Sequence, residues 1–176
     1  MPQPPTRRRV RYEVANQPRF LTFSCYQRLA LFNNDKIKAF FVQELDAARQ
    51  TLSFDLIAWV IMPEHVHLLL TPDLPAHTVP QILETIKTNF ARIVIARWRS
   101  MNAPILNRLT RQDGKAGFWQ RGGGYDRNIR DEDELREKCD YIHNNPCKRL
   151  LVDSPLAWPW SSARYFAGQT NDVLEM

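Results

Sequence analysis

Two histidines, His65 and His67, are separated by a single valine in residues 63–67. Because an apolar run typical of a β-strand follows, both imidazoles should point to the same face of a sheet, about 7 Å apart along the strand. Two imidazoles on one face can ligate one divalent metal ion if a third ligand comes from elsewhere in the chain. Two partly exposed sheet histidines without a metal are the alternative.

A phenol and an amide, those of Tyr141 and Asn145, lie four residues apart in residues 140–146. Positions i and i+4 are neighbours on a helix, so one turn presents both groups on the same side. A phenol can attack phosphorus, and an amide oxygen can ligate a hard metal ion. A packing tyrosine and an asparagine that ends the helix before Pro146 are the alternative. His143 lies on a different face of this helix, which argues against a catalytic role.

The two pairs together suit the transfer of a phosphodiester. A metal ion would polarise the scissile phosphate, and tyrosine attack would leave a covalent phosphotyrosine and a free hydroxyl. A phenolate is a better leaving group than an alkoxide, and the covalent bond conserves the ester for rejoining. The pattern therefore predicts reversible strand transfer.

The elements that must position these residues follow from hydrophobic periodicity. A strand over residues 19–26 precedes a helix that Asp35 caps and that ends near Gln50. Two strands, residues 54–62 and 65–70, form a hairpin about Pro63 and Glu64. An apolar helical stripe from Ile82 ends near Arg99, and residues 100–117 are predicted to be a loop. A short strand with a glycine turn at residues 122–124 completes the order β-α-β-β-α-β.

This order predicts an α+β fold with a ferredoxin-like sheet whose helices cover one face. A further helix, the candidate catalytic one, begins at Asp131, whose side chain can cap it, and stops at Pro146. A short tail helix capped by Ser161 ends at Gly168. We expect a flexible basic arm over residues 1–17, one domain over residues 18–168 and a tail over residues 169–176.

The composition supports a single folded domain: 176 residues, 44% hydrophobic and 24% charged. Three cysteines without a C-x-x-C spacing predict neither a disulfide framework nor a thiolate zinc site. The chain has no long apolar run, and its start, Met-Pro-Gln-Pro-Pro, has no apolar signal segment. These features predict a cytoplasmic protein that does not cross a membrane.

Basic residues exceed acidic ones, 24 to 19, and the isoelectric point is near 9.3, which favours an anionic partner. The N-terminal arm can follow phosphates or remain a solvated tail. Tryptophans 119, 158 and 160 can stack on bases or pack in the core. The basic residues that we predict to contact such a partner are Arg7, Arg8, Arg9, Arg11, Lys87, Arg92, Arg121 and Lys148.

Four separated motifs carry a resemblance to a known family: residues 59–67 (WVIMPEHVH), 118–121 (FWQR), 140–146 (DYIHNNP) followed by Lys148, and 158–164 (WPWSSAR). In this order, over residues 18–167, the chain resembles the REP-associated tyrosine transposases, single-tyrosine members of the HUH nuclease superfamily. The resemblance implies His65 and His67 as metal ligands for Mg²⁺ or Mn²⁺ and Tyr141 as nucleophile. It also implies Asn145 as the third ligand, where related insertion-sequence transposases commonly have glutamine.

The resemblance further implies single-stranded DNA hairpins, formed by imperfect palindromes, as partners. We therefore expect a metal-dependent single-stranded DNA endonuclease and transesterase of the transposase type. Two alternatives remain open: a catalytically idle hairpin-binding protein with a regulatory role, and a metal hydrolase that uses activated water instead of Tyr141. Monomer and homodimer are equally compatible with the sequence.

Overall fold

The computed structural model describes residues 13–122, 124–169 and 173–174. Its strands are β1 (Arg19–Ser24), β2 (Asp55–Ile61), β3 (His65–Thr71) and β4 (Tyr125–Asn128). They form an antiparallel sheet with the strand order β2-β3-β1-β4. A long helix follows β1 and another follows β3, so the predicted β-α-β-β-α-β, ferredoxin-like arrangement is confirmed.

The helices lie on both faces of the sheet. They are α1 (Asp35–Leu52), α2 (Val79–Ser100), the short α3 (Leu106–Leu109), α4 (Glu132–Lys148) and the short α5 (Ala163–Phe166). Helices α1 and α2 pack together over the larger apolar core, whereas α4 covers the opposite face and packs on β2 and β3. Strand alternation explains this division: Leu21 and Phe23 of β1 enter the larger core, and Phe20 enters the smaller one beneath α4.

Two predicted helix boundaries were wrong. Asn34, rather than Asp35, caps α1: its side chain accepts a hydrogen bond from the backbone N–H of Lys36, and Asp35 already belongs to the helix. Pro146 does not stop α4, which continues to Lys148. Proline removes only its own N–H from the helical hydrogen bonds, and the carbonyl of Pro146 still accepts from a residue beyond the helix end.

Three other local features differ from the prediction. Strand β1 ends at Ser24, two residues early, because the chain turns through Tyr26–Arg28 with Gln27 in the left-handed region. Residues 100–117, predicted to be a loop, contain the short helix α3. The tail helix has Ser162 at its N-cap position instead of Ser161 and ends at Phe166, two residues before Gly168.

The tryptophans pack within the protein. Trp119 is buried and donates its indole N–H to the carbonyl of Lys87, and Trp158 donates to the carbonyl of Ile61. Trp160 donates to Asp35. The packing interpretation therefore fits all three better than base stacking.

The three cysteines are free thiols, as the sequence predicted. Among the described residues, no helix has the length and apolar character needed to cross a membrane.

Candidate active site

The two histidines lie on the face of β3 that α4 covers. Val66, between them, points into the larger core, so the predicted alternation is confirmed. Both imidazoles are buried, and their Nε2 atoms are 3.0 Å apart. Two imidazole nitrogens thus face each other at the edge of a pocket.

Each histidine has a hydrogen-bonding partner at its Nδ1 atom. His65 Nδ1 lies 3.1 Å from a carboxylate oxygen of Glu64, and His67 Nδ1 lies 2.7 Å from the hydroxyl of Thr22. An ionised carboxylate only accepts hydrogen bonds, so the neutral His65 ring carries its proton on Nδ1 and has a lone pair on Nε2. The Thr22 hydroxyl can donate or accept, so either tautomer of His67 stays hydrogen-bonded.

Burial keeps both rings neutral at pH 7. It lowers the pKa of His67 to about 3, and the neighbouring His65 adds to that effect. Burial also lowers the pKa of His65, although the Glu64 carboxylate acts in the opposite direction. Neutral imidazole is the form that binds metal ions.

Helix α4 brings the phenol and the amide to the histidines. The Tyr141 ring lies 5.3 Å from the His67 ring, centroid to centroid, and 37% of the residue is exposed. The Asn145 amide nitrogen lies 3.2 Å from His67 Nε2, and its buried oxygen has no hydrogen-bond partner among the residues that the structure describes. His143 points away from this group and contacts the Ser162 hydroxyl at 2.9 Å.

These side chains line one pocket of about 490 Å³. Lysine and arginine side chains surround it, and no carboxylate of the described residues lines it. Lys148 Nζ lies 5.0 Å from the centre of the Tyr141 ring. The positive lining residues are Arg28, Lys138, Lys148 and Arg149.

The predicted DNA-contacting residues fall into three places. Lys148 lines the active-site pocket, whereas Lys87, Arg92 and Arg121 line a separate groove of about 630 Å³ between α2 and residues 111–122. The four arginines of the N-terminal arm lie outside the described residues. The groove also includes Arg99 and Arg111, which the sequence analysis did not select.

Sequence reasoning also missed residues within the pocket. Lys138 lies three residues before Tyr141 on the same helix, a spacing that could have identified it. Thr22 pairs with His67 across β1 and β3, which only the strand order reveals. Glu64 adjoins His65 in sequence and contacts it directly, but its contact with Arg149 depends on how α4 docks.

The fold and the site have the arrangement that the sequence predicted: a ferredoxin-like sheet with paired histidines on one strand and a tyrosine on the helix that crosses it. A family model described as transposase IS200 like matches residues 17–145. The chain therefore belongs to the IS200-like transposase family, which confirms the resemblance found in the sequence.

Individual relatives agree with this assignment. The chain is 31% identical over 148 residues to a Haemophilus influenzae protein described as a REP-associated tyrosine transposase, a match that covers 81% of this chain and 77% of the relative. It is 29% identical over 109 residues to the REP-associated tyrosine transposase of Escherichia coli, covering 62% of this chain and 54% of that protein. A solved structure of a REP-associated tyrosine transposase bound to a REP hairpin has the same fold, with a TM-score of 0.71, 20% identity and 97% and 95% of the two chains covered.

Proposed function

We propose that this transposase is a metal-dependent endonuclease and transesterase that cuts single-stranded DNA at or near palindromic hairpins. The cut would proceed through a covalent phosphotyrosine at Tyr141. One observation carries the proposal: Tyr141, Asn145 and the facing Nε2 atoms of both histidines line the same pocket.

The donor set fits a divalent cation. Adjacent ligands around an ion with bonds of about 2.1 Å are about 3 Å apart, which matches the 3.0 Å between the two Nε2 atoms. The buried Asn145 oxygen lacks a hydrogen-bond partner within the described part of the chain, and a flip of the amide would exchange it with the nitrogen that lies 3.2 Å from His67. No group of three His, Cys, Asp or Glu side chains within the described residues could hold a metal instead.

His65, His67 and Asn145 would therefore hold the ion, Mg²⁺ or Mn²⁺. Two nitrogens and one amide oxygen are acceptable to either ion, and Mn²⁺ tolerates imidazole better than Mg²⁺ does. When bound, the ion would withdraw charge from the scissile phosphate.

The protein's own residues would perform the transfer. The Tyr141 oxygen forms a bond to phosphorus, and the bond from phosphorus to the leaving strand oxygen breaks. The phenol loses its proton, and the departing oxygen becomes a free hydroxyl. Tyr141 is suited to this task because it is exposed to the pocket while its ring rests against Phe20 and His67.

The cations around the pocket would hold the strand that carries the scissile phosphate. Arg28, Lys138, Lys148 and Arg149 supply this positive charge. Arg149 and Lys138 are each paired with a glutamate, Glu64 and Glu137, that does not itself line the pocket. Their side chains can neutralise the phosphates on either side of the cut. Unpaired bases would stack on the exposed Tyr125 ring, which lines the same pocket.

The basic groove beside α2 suits the paired stem of a hairpin. Its aromatic residues, Phe118 and Trp119, are buried and cannot serve as stacking platforms, so the groove favours duplex backbone over unpaired bases. A third pocket shares Thr22 and Tyr125 with the active site and Lys87 with the groove, so DNA could pass from one to the other. The solved relative is bound to a REP hairpin, which supports the same type of partner here.

The test uses end-labelled single-stranded hairpins from the repeats that flank the protein's own gene. We expect Mg²⁺ or Mn²⁺ to produce a discrete cut on a denaturing gel and a protein–DNA adduct that survives denaturation. Tyr141→Phe should eliminate both while it preserves the fold and hairpin binding, because only the hydroxyl is lost. Tyr165→Phe, another exposed tyrosine, is the matched control and should leave cleavage unchanged.

The outcomes separate the open alternatives. An adduct that persists in Tyr141→Phe would disprove the assignment of the nucleophile. Cutting without an adduct would favour the hydrolase that uses water. Hairpin binding without any cut would favour the catalytically idle regulatory protein.

A further inference from the structure

We propose that Glu64 is a positioning residue that fixes the tautomer of His65 and, through Arg149, ties that histidine to the helix carrying Tyr141 and Asn145. This inference rests on the proposed function, in which His65 ligates the metal ion. Glu64 itself touches neither substrate nor metal in this scheme.

The Glu64 carboxylate is buried and makes two contacts. Its side chain is 10% exposed, and the same oxygen lies 3.1 Å from His65 Nδ1 and 2.9 Å from a guanidinium nitrogen of Arg149. A buried carboxylate is costly unless it is paired and hydrogen-bonded, and both contacts meet that need. A carboxylate is therefore suited to this buried position because it serves both His65 and Arg149.

The backbone around Glu64 is held firmly. Its carbonyl accepts the N–H of Cys25 at 2.8 Å, and the preceding Pro63 carbonyl accepts the N–H of Phe32 at 2.9 Å. The turn between β2 and β3 is thus fixed to the segment that follows β1. A carboxylate on such a turn can orient the adjacent imidazole precisely because it has little freedom to move.

The direct consequence concerns the two nitrogens of His65. Because the carboxylate can only accept, it keeps the proton on Nδ1 and leaves the Nε2 lone pair aimed at the pocket. Metal-binding histidines are commonly held in this way, and loss of the outer partner typically costs 10–100-fold in affinity.

Arg149 extends the link to α4. It directly follows the helix, and its backbone N–H donates to the carbonyl of Asn145. Its guanidinium is half exposed and lines the active-site pocket. The ion pair therefore connects the turn before the histidine strand to the last turn of α4, which carries Asn145.

The first test follows the tautomer in the metal-free protein by ¹H–¹⁵N correlation of the imidazole rings. We expect the wild type to show His65 protonated on Nδ1. Glu64→Gln should keep that tautomer, because the amide oxygen still accepts, whereas Glu64→Met should release Nδ1 and populate the Nε2-protonated form. An unchanged His65 tautomer in folded Glu64→Met would overturn the proposal.

The second test measures Mn²⁺ affinity by electron paramagnetic resonance. Glu64→Met should weaken binding about 10–100-fold, Glu64→Gln should weaken it less, and the exposed Glu132→Met is the matched control. Arg149→Met should keep the His65 tautomer but reduce the affinity, whereas the exposed Arg136→Met should change neither. Wild-type Mn²⁺ affinity in both Glu64→Met and Arg149→Met would refute the link.

Neither test requires DNA. A protein that binds Mn²⁺ and shows the expected tautomers but does not cut hairpins would contradict the proposed function and leave the role of Glu64 standing. If the protein cuts hairpins while Glu64→Met changes neither the His65 tautomer nor the Mn²⁺ affinity, the proposed function stands and the role of Glu64 is overturned.

Discussion

The buried imidazole of His67 should make the fold sensitive to acid, and one substitution should remove that sensitivity. Burial lowers its pKa from 6.5 to about 3. Between these values the unfolded chain takes up a proton at this residue and the folded protein does not. Since the unfolded state binds more protons, the free energy of unfolding falls as the pH decreases through this window. At pH 4.5, two units below the unfolded pKa, the loss should be about 3 kcal/mol.

The assay is urea unfolding at pH 7.5 and pH 4.5, in the presence of a chelator, for the wild type and for His67→Gln. Other groups also titrate in this range, so the informative quantity is the difference between the two proteins in their loss of stability. We expect His67→Gln to lose about 3 kcal/mol less than the wild type. His77→Gln, in the loop before α2, is the control and should behave as the wild type does. Equal losses in wild type and His67→Gln would show that folded His67 accepts a proton readily, and the reasoning from burial would fail.

Three further predictions concern the metal, the arm and the sheet. A chelator should abolish cleavage, Mg²⁺ or Mn²⁺ should restore it, and His65→Ala should reduce it strongly; full activity in chelator would contradict the metal site. Deletion of residues 1–11 should weaken hairpin binding and reduce the slope of log affinity against log salt concentration by as much as ~3, since four arginines can each release a counterion. Equal slopes for the full-length and truncated proteins would make the arm a solvated tail. Gly124→Ala should destabilise the fold by ~2 kcal/mol or more, because its Cβ would clash with the backbone carbonyl oxygen of Thr22. Gly122 has φ +87, and a Cβ there would meet none of the described residues, so Gly122→Ala should cost only about 1 kcal/mol. Equal unfolding midpoints for the two variants would refute the clash.

The parts of the site that could be predicted from sequence depend on local spacing. His65 and His67 share a face because side chains alternate along any strand, whatever its neighbours are. Tyr141 and Asn145 share a face because residues four apart meet on any helix. Local spacing therefore predicts the shared face of each pair without knowledge of the topology.

The parts that could not be predicted depend on contacts between distant segments. Thr22 meets His67 only because β1 lies beside β3, and Glu64 meets Arg149 only because the end of α4 docks on the β2–β3 turn. The continuation of α4 through Pro146 has a related cause, since this proline is buried and its carbonyl binds the chain beyond the helix. Sequence periodicity carries no information about such pairings.

The position of α4 explains how a polar site persists in the interior of a small protein. The face of the sheet beneath α4 buries Phe20, Leu69 and Ile142 together, and these apolar contacts seat the helix on the sheet. The histidines, Asn145 and Tyr141 lie at one end of the same helix–sheet interface. All four belong to β3 or α4 rather than to loops, so their backbone positions are rigid. Because the apolar contacts fix where α4 lies, the distance between Asn145 and the imidazoles is set by packing, and the Glu64–Arg149 pair adjusts it only at the last turn. A site built in this way has its reacting groups in place before DNA binds, so binding energy need not be used to assemble them.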